Sequence, residues 1–168
     1  MPDGADRYGQ ETAWRIHAAL LDWTGKVDGK AAFALTVESA ALALAAALHS
    51  GARPSPGDLP TGLSALLAVG ATLLGAAALL AVLAVVPRMR VDRAARHPTP
   101  DFIYFGHIRV LEPEELARVL RTADPLPALS RQLVTMSRIA WYKHRCTQAS
   151  LVLAAVGLVA VALVGAVV

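Results

Sequence analysis

Residues 63–86 read LSALLAVGATLLGAAALLAVLAVV, a run that contains no charged side chain. Two further apolar runs are ASLVLAAVGLVAVALVGAVV at 149–168, which is also free of charge, and AAFALTVESAALALAAAL at 31–48, which contains one charged residue, Glu38. A helix of roughly 20 residues, rising about 1.5 Å per residue, crosses a hydrocarbon layer of about 30 Å. The three runs therefore predict an all-α membrane protein with three transmembrane helices.

The composition of the whole chain agrees with this fold class. Of the 168 residues 55% are hydrophobic and only 17% are charged, whereas a soluble domain carries about 25% charged residues. The net charge of +3 fits attraction to anionic membrane lipid, so we expect no double-stranded nucleic acid as a partner. Cys146 is the single cysteine, which excludes an intrachain disulfide and a cysteine metal site.

The distribution of Lys and Arg predicts the orientation of the chain. The loop between the first two runs carries only Arg53, and the other basic residues lie in the N-terminal stretch and in the long second loop. By the positive-inside rule both basic regions are cytoplasmic, and the C-terminus lies outside a cell inner membrane. The predicted segments are a cytoplasmic amphipathic helix (1–30), the first transmembrane helix (31–49), a short external loop (50–61), the second transmembrane helix (62–86), a cytoplasmic loop with a short strand and a short helix (87–127), a cytoplasmic stalk helix (128–148) and the third transmembrane helix (149–168).

Each cytoplasmic helix carries an apolar stripe at helical spacing. These stripes fit either packing within one chain or an interface between subunits, and the two readings stay open. The candidate interface residues are Ile16, Leu20, Trp23, Val27, Leu129, Leu133 and Met136. Small residues in the spans would also permit close helix contact in an oligomer; they include Gly70, Gly75, Ala76, Gly157 and Ala160.

The long loop contains two further predicted elements. The stretch DFIYFGHIRVL at 101–111 is rich in β-branched and aromatic residues, which predicts a short strand or extended segment. A short helix is expected to begin at Pro113 and to stop before Asp124 and Pro125.

The sequence offers little catalytic chemistry. It contains no phosphate-binding loop, dinucleotide fingerprint, zinc-protease motif or nucleophile elbow, and its histidines show no ligand spacing. We therefore expect no enzyme activity, no cofactor and no metal site.

Glu38 is the charged residue that most needs an explanation. Insertion of an ionisable side chain near the middle of a transmembrane helix costs roughly 2.5–3.5 kcal/mol. Repeated around a symmetric oligomer, Glu38 would form an acidic ring suited to cations. The alternative is a carboxyl group that holds helices together. Asp28 and Lys30, at the start of the same span, complete the candidate pore residues.

Four features, taken in order, resemble the Pycsar effector transmembrane family. They are WTGKVDGKAA at 23–32, which precedes the first span, Pro87-Arg88 after the second, Tyr104-Phe105-Gly106 in the loop, and LSRQLVTMSRIAWYKHRCTQAS at 129–150 before the third. The resemblance implies a bacterial antiphage membrane effector. It also implies a nucleotide second messenger as the signal, made by a partner cyclase or nucleotidyltransferase on the cytoplasmic side.

The resemblance leads to a functional hypothesis of a homo-oligomeric ion channel or pore that impairs the inner membrane in abortive infection. A phosphate-bearing signal needs clustered basic side chains. The candidates are Arg88, Arg90, Arg131, Arg138, Lys143 and Arg145. The alternative hypothesis is a membrane anchor that docks a soluble partner on its cytoplasmic helices.

Overall fold

The computed structural model describes residues 4–50, 60–87 and 102–167, and these residues form helices and connecting turns. The helices are α1 (Gly4–Ser50), α2 (Thr61–Val85), α3 (Phe105–Ile108), α4 (Pro113–Thr122) and α5 (Pro125–Val167). Three of them, α1, α2 and α5, are long and apolar enough to cross a membrane. The prediction of three transmembrane helices in an all-α protein is therefore supported.

Two of the long helices are much longer than a membrane is thick. α1 has 47 residues and α5 has 43, which correspond to roughly 70 and 65 Å of helix. Only about 30 Å of each is needed to cross the hydrocarbon layer. Each apolar span therefore continues into a polar helical extension without a break.

The chain forms two compact units. One contains the start of α1, the α3–α4 region and the start of α5, and the other contains the remainder of α1, α2 and the remainder of α5. The second unit, residues 25–86 and 142–168, is a three-helix bundle. Its core joins residues of all three helices, such as Ala41, Leu74 and Val161.

Buried positions in this bundle repeat at intervals of three and four residues. On α2 they are Leu67, Gly70, Leu74, Ala77, Ala81 and Ala84. On α5 a row of such positions consists of Lys143, Thr147, Ser150, Ala154, Gly157, Val161 and Val164, and Cys146 and Ala160 are buried beside it. Such spacing is typical of helices that cross at a small angle with their side chains interdigitated.

The bundle buries small residues and exposes large apolar ones, which is the reverse of the arrangement in a soluble protein. Small residues, chiefly Ala, Gly and Ser, occupy most of the buried positions, whereas Phe33, Leu79 and Val156 point outward and are more than half exposed. Soluble proteins bury such large apolar side chains. In lipid there is no hydrophobic force to bury them, and small residues let helix backbones approach closely.

The helices α2 and α5, which run antiparallel, approach each other closely at two glycines. A Cβ atom placed on Gly157 would lie 3.0 Å from the backbone oxygen of Gly70 and 2.9 Å from Cγ of Leu74. One on Gly70 would lie 3.1 Å from Cβ of Ala160. Glycine is favoured at this crossing because a larger side chain would crowd the backbone of the facing helix.

The expected strand in the long loop is wrong for the part that the structure describes. Residues 103–104 form a bend, and α3 and a turn follow over 105–110. Within the described ranges no second strand is present for this segment to pair with, and its β-propensity alone does not determine its structure. Tyr104 instead packs its ring against the rings of Phe105 and His107, at centroid distances of 4.7 and 5.5 Å.

The connection from α4 to α5 follows ordinary capping chemistry. α4 has Pro113 and two glutamates in its first turn, which suit the positive end of a helix. Asp124 then caps α5, since its Oδ1 accepts a hydrogen bond from the backbone N–H of Leu126 at 2.9 Å. The same oxygen accepts a hydrogen bond from Gln10 Nε2 on α1 at 3.2 Å, which ties these segments together.

Candidate functional site

Five polar side chains line the contact between α1 and α5 within the three-helix bundle, and we call this set the polar seam. Its members are Asp28 and Glu38 on α1 and Lys143, Thr147 and Ser150 on α5. The α5 members follow each other at intervals of four and three residues, so they share the face that packs against α1. The two helices run parallel here, because Asp28 contacts Lys143 and, further along both, Glu38 contacts Ser150.

The first contact in the seam is an ion pair. Lys143 Nζ lies 2.6 Å from Asp28 Oδ1, and the side chain of Lys143 is only 9% exposed while that of Asp28 is 36% exposed. The ammonium group of Lys143 is thus shielded from solvent, and it is neutralised by the carboxylate of Asp28, which is itself in contact with solvent. Removing one partner of a buried pair costs far more than the pair itself contributes, because the remaining charge is then unpaired.

The second contact is a hydrogen bond in the centre of the bundle. Ser150 Oγ donates to Glu38 Oε1 at 2.6 Å, and both residues are fully buried. Among the residues that the structure describes, Glu38 Oε2 and Thr147 Oγ1 are buried without a hydrogen-bond partner. Hydrogen bonds between transmembrane helices contribute on average about 0.6 kcal/mol each, so this contact adds modestly to helix association.

The structure separates the three candidate pore residues. Glu38 is enclosed between helices of a single chain. Asp28 is engaged with Lys143, and Lys30 is exposed outside the seam. The enclosure of Glu38 favours its reading as a group that holds helices together over its reading as part of a lumen between subunits.

Within the described residues, the candidate nucleotide-binding residues are spread along α5. Arg88 and Arg90 lie outside the described residues. Lys143 is buried and paired. The others, Arg131, Arg138 and Arg145, are seven residues apart along α5, which separates each from the next by about 10.5 Å.

The candidate interface residues divide between the interior and the surface. The buried ones are Leu20, Val27 and Leu129; the half-buried ones are Leu133 and Met136; the exposed ones are Ile16 and Trp23. Small residues divide similarly: Gly70, Gly157 and Ala160 pack within one chain, whereas Gly75 and Ala76 face outward. The buried stripe of the α1 extension includes Ala13, seven residues before Leu20, which a search for large apolar residues overlooks.

Thr147 and Ser150 are site residues that the sequence reasoning missed. The sequence contains a pattern that indicates them, because Lys143, Thr147 and Ser150 form a polar row at helical spacing that leads into an apolar run. The connection of that row to Glu38, across 112 residues of sequence, is visible only in the folded chain.

Taken together, these features define a class: a helical membrane protein with three candidate spans, long helical extensions and a buried polar contact between parallel helices. The particular family follows from comparison with known proteins. The Pycsar effector protein domain, PycTM, matches residues 12–168, and the chain therefore belongs to this family. No curated protein and no solved structure matches the chain. The family is one of membrane effectors rather than a known family of enzymes, and it implies an antiphage effector and a cyclic nucleotide signal from a partner cyclase.

Proposed function

We propose that this protein is an antiphage effector of the inner membrane that assembles with copies of itself and impairs the membrane when a cyclic nucleotide arrives from the cytoplasmic side. The observation that carries the proposal is the match to the Pycsar effector domain over residues 12–168, which covers α2, α5 and all but the start of α1. Abortive infection needs a protein that stays harmless until signalled, so the assembly or its permeability must depend on the nucleotide.

The outer face of α1 supports assembly between copies. Exposed small residues follow each other along this face at four- and three-residue intervals, and they are Gly25, Gly29, Ala32, Thr36, Ser39, Ala43 and Ala46. A Cβ atom added to Gly25 or Gly29 would meet nothing within 4 Å. The chain uses the same kinds of residue to pack its own helices, so a second copy could approach α1 equally closely.

The α1 extension also exposes large apolar side chains, but at about 100° per residue they lie roughly half a turn around the helix from the small-residue face. Ile16 and Trp23 are 46% and 55% exposed, and they lie on the helix that continues into the span. We place the contact between copies along α1, with the ion-conducting path between copies and Glu38 inside each one. The nucleotide signal acts on the basic residues of the α5 extension, of which Arg138 is exposed.

The proposal is tested by ion flux from liposomes that contain the purified, folded protein. Potassium release is measured without nucleotide and with each of the four common 3′,5′-cyclic nucleotides. We expect release with at least one nucleotide. Ala32→Phe should reduce both the release and the cross-linked oligomer, because a large side chain holds the α1 faces apart.

The matched control is Leu79→Phe on α2, which replaces one exposed large side chain by another. It should leave release and cross-linking unchanged. If folded protein released no ions under any condition, the pore would be excluded. The protein would then act as a membrane anchor that docks a soluble partner on its helical extensions.

A further inference from the structure

A groove lies on the outer face of α5, away from the polar seam. Its volume is about 370 Å³, and it is lined by Arg145, Gln148, Ala149, Val152 and Leu153. These positions are separated by three or four residues along each side, so they form one stripe about 12 Å long on the helix surface. The two polar side chains stand at one end of the stripe and the three apolar side chains at the other. The groove therefore changes from polar to apolar along its length.

The position of the groove along α5 relates it to the membrane surface. After Gln148 every exposed residue of α5 is apolar or glycine, as far as the described part of the helix extends. Residues 149–167 correspond to about 28 Å of helix, close to the hydrocarbon thickness of about 30 Å. Gln148 thus lies at the edge of the hydrocarbon layer. Arg145 lies about 4.5 Å before it along the axis, in the headgroup region.

Arg145 brings an uncompensated positive charge to the polar end of the groove. In the described part of the chain Arg145 forms no ion pair, and no carboxylate lines the groove. Lys143, two residues earlier on the same helix, is by contrast neutralised by Asp28. A guanidinium group binds a phosphate through parallel N–H donors, and the amide of Gln148 can donate a further hydrogen bond. This end of the groove is therefore suited to a phosphate group.

We propose that the groove binds an anionic phospholipid, with the lipid phosphate on Arg145 and Gln148 and an acyl chain along the apolar residues. A lipid fits better than a free phosphate or a nucleotide, because only an acyl chain covers the apolar end, which faces the hydrocarbon layer. An anionic headgroup fits better than a zwitterionic one, because the groove offers no carboxylate to the ammonium group of an ethanolamine. The proposal separates Arg145 from the basic residues of the α5 extension and does not rest on the proposed function.

The site is tested by native mass spectrometry of the full-length protein, released from detergent micelles that hold equal amounts of phosphatidylglycerol and phosphatidylethanolamine. We expect the wild-type protein to retain phosphatidylglycerol in preference. Arg145→Gln should lower this preference about tenfold, because the charge-assisted hydrogen bonds to the phosphate are lost. Equal retention of the two lipids by the wild-type protein would overturn the proposal.

The matched control for the charge is Lys30→Gln on α1. Lys30 follows Asp28 by two residues and Arg145 follows Lys143 by two, so the contact of Asp28 with Lys143 places both basic residues at about the same depth. Lys30 is exposed and does not line the groove. Its replacement should leave the lipid preference unchanged. An equal loss in the two variants would indicate diffuse attraction to the basic surface and would overturn the site.

A second pair of variants tests the apolar end of the groove. Val152→Trp fills the groove, whereas Val159→Trp adds the same bulk outside it, and the two valines are 58% and 59% exposed. Val152→Trp should reduce the retained phosphatidylglycerol severalfold and Val159→Trp should not, with helical circular dichroism equal to that of the wild-type protein in both. Full retention by Val152→Trp would overturn the proposal. Displacement of the lipid by a cyclic nucleotide would also overturn it, because Arg145 would then belong to the signal site.

Discussion

The glycine crossing between α2 and α5 makes a quantitative prediction about stability. Gly157→Ala places a methyl group 3.0 Å from the backbone oxygen of Gly70 and 2.9 Å from Leu74 Cγ. The leucine side chain can turn aside, but the backbone oxygen belongs to a rigid helix. The substitution therefore forces α2 and α5 apart at the centre of the bundle.

The expected magnitude follows from two opposing effects. Alanine is favoured over glycine in a helix by about 1 kcal/mol, and overpacking a tight contact costs about 1–3 kcal/mol. At Gly157 the contact with backbone sets the cost near the upper limit, which leaves a net loss of about 2 kcal/mol. Gly70→Ala, whose nearest atoms lie at 3.1 Å, should lose less. Gly75→Ala meets nothing within 4 Å and should be neutral or gain up to about 1 kcal/mol.

The assay is reversible unfolding of the protein in mixed micelles, followed by the loss of helical circular dichroism as denaturing detergent is added. A loss of about 2 kcal/mol lowers the ratio of folded to unfolded protein roughly thirtyfold. The three variants carry the same chemical change, so their order isolates the contact between the helices. Equal stability of Gly157→Ala and Gly75→Ala would refute the close approach.

Three further predictions concern the ion pair, the burial of small residues and the central carboxyl group. Asp28→Asn leaves the buried ammonium group of Lys143 unpaired and should destabilise the bundle by about 2–3 kcal/mol, below the full cost for an enclosed pair because Asp28 reaches solvent. Lys143→Met should cost less than that, and the double variant should recover much of the loss, as a double-mutant cycle of unfolding free energies will show. Ala77→Leu, at a fully buried position, should destabilise by about 1–3 kcal/mol, whereas Leu79→Ala on the exposed face should change stability little in the same unfolding assay. Glu38→Gln keeps an acceptor for Ser150 and should preserve the ion selectivity of nucleotide-dependent flux; altered selectivity would place the carboxyl group in the conducting path.

The three spans could be predicted from the sequence because the membrane imposes a requirement that is local. A run such as residues 63–86 must be long and free of charge whatever it packs against. The loop segment at 101–111 had no such constraint. Its β-branched and aromatic residues indicated a strand, but a strand needs a partner, and the described residues supply none.

The packing faces of the helices were harder to predict than the spans. The predicted stripe of Ile16, Leu20, Trp23 and Val27 divides, since Leu20 and Val27 are buried within the chain and Ile16 and Trp23 are exposed. Weighting the periodicity by side-chain size also passed over Ala13, which is buried seven residues before Leu20. In a soluble protein a large apolar side chain indicates a buried position. In a membrane protein the buried positions are instead those whose small side chains let the helix backbones approach closely.

The polar seam was predictable only in part, because its two halves are separated by 112 residues of sequence at the Glu38–Ser150 bond. Glu38 stood out alone as an expensive residue within an apolar run, and a solitary charge invites a functional reading such as a pore ring. The hydrogen bond that Ser150 donates to Glu38 supports the alternative, a carboxyl group that holds α1 and α5 together. The Asp28–Lys143 ion pair and the Glu38–Ser150 hydrogen bond each join a particular residue of α1 to a particular residue of α5. They therefore help to fix the position of the two helices along their axes, which small apolar residues do less specifically because they can pack in several registers.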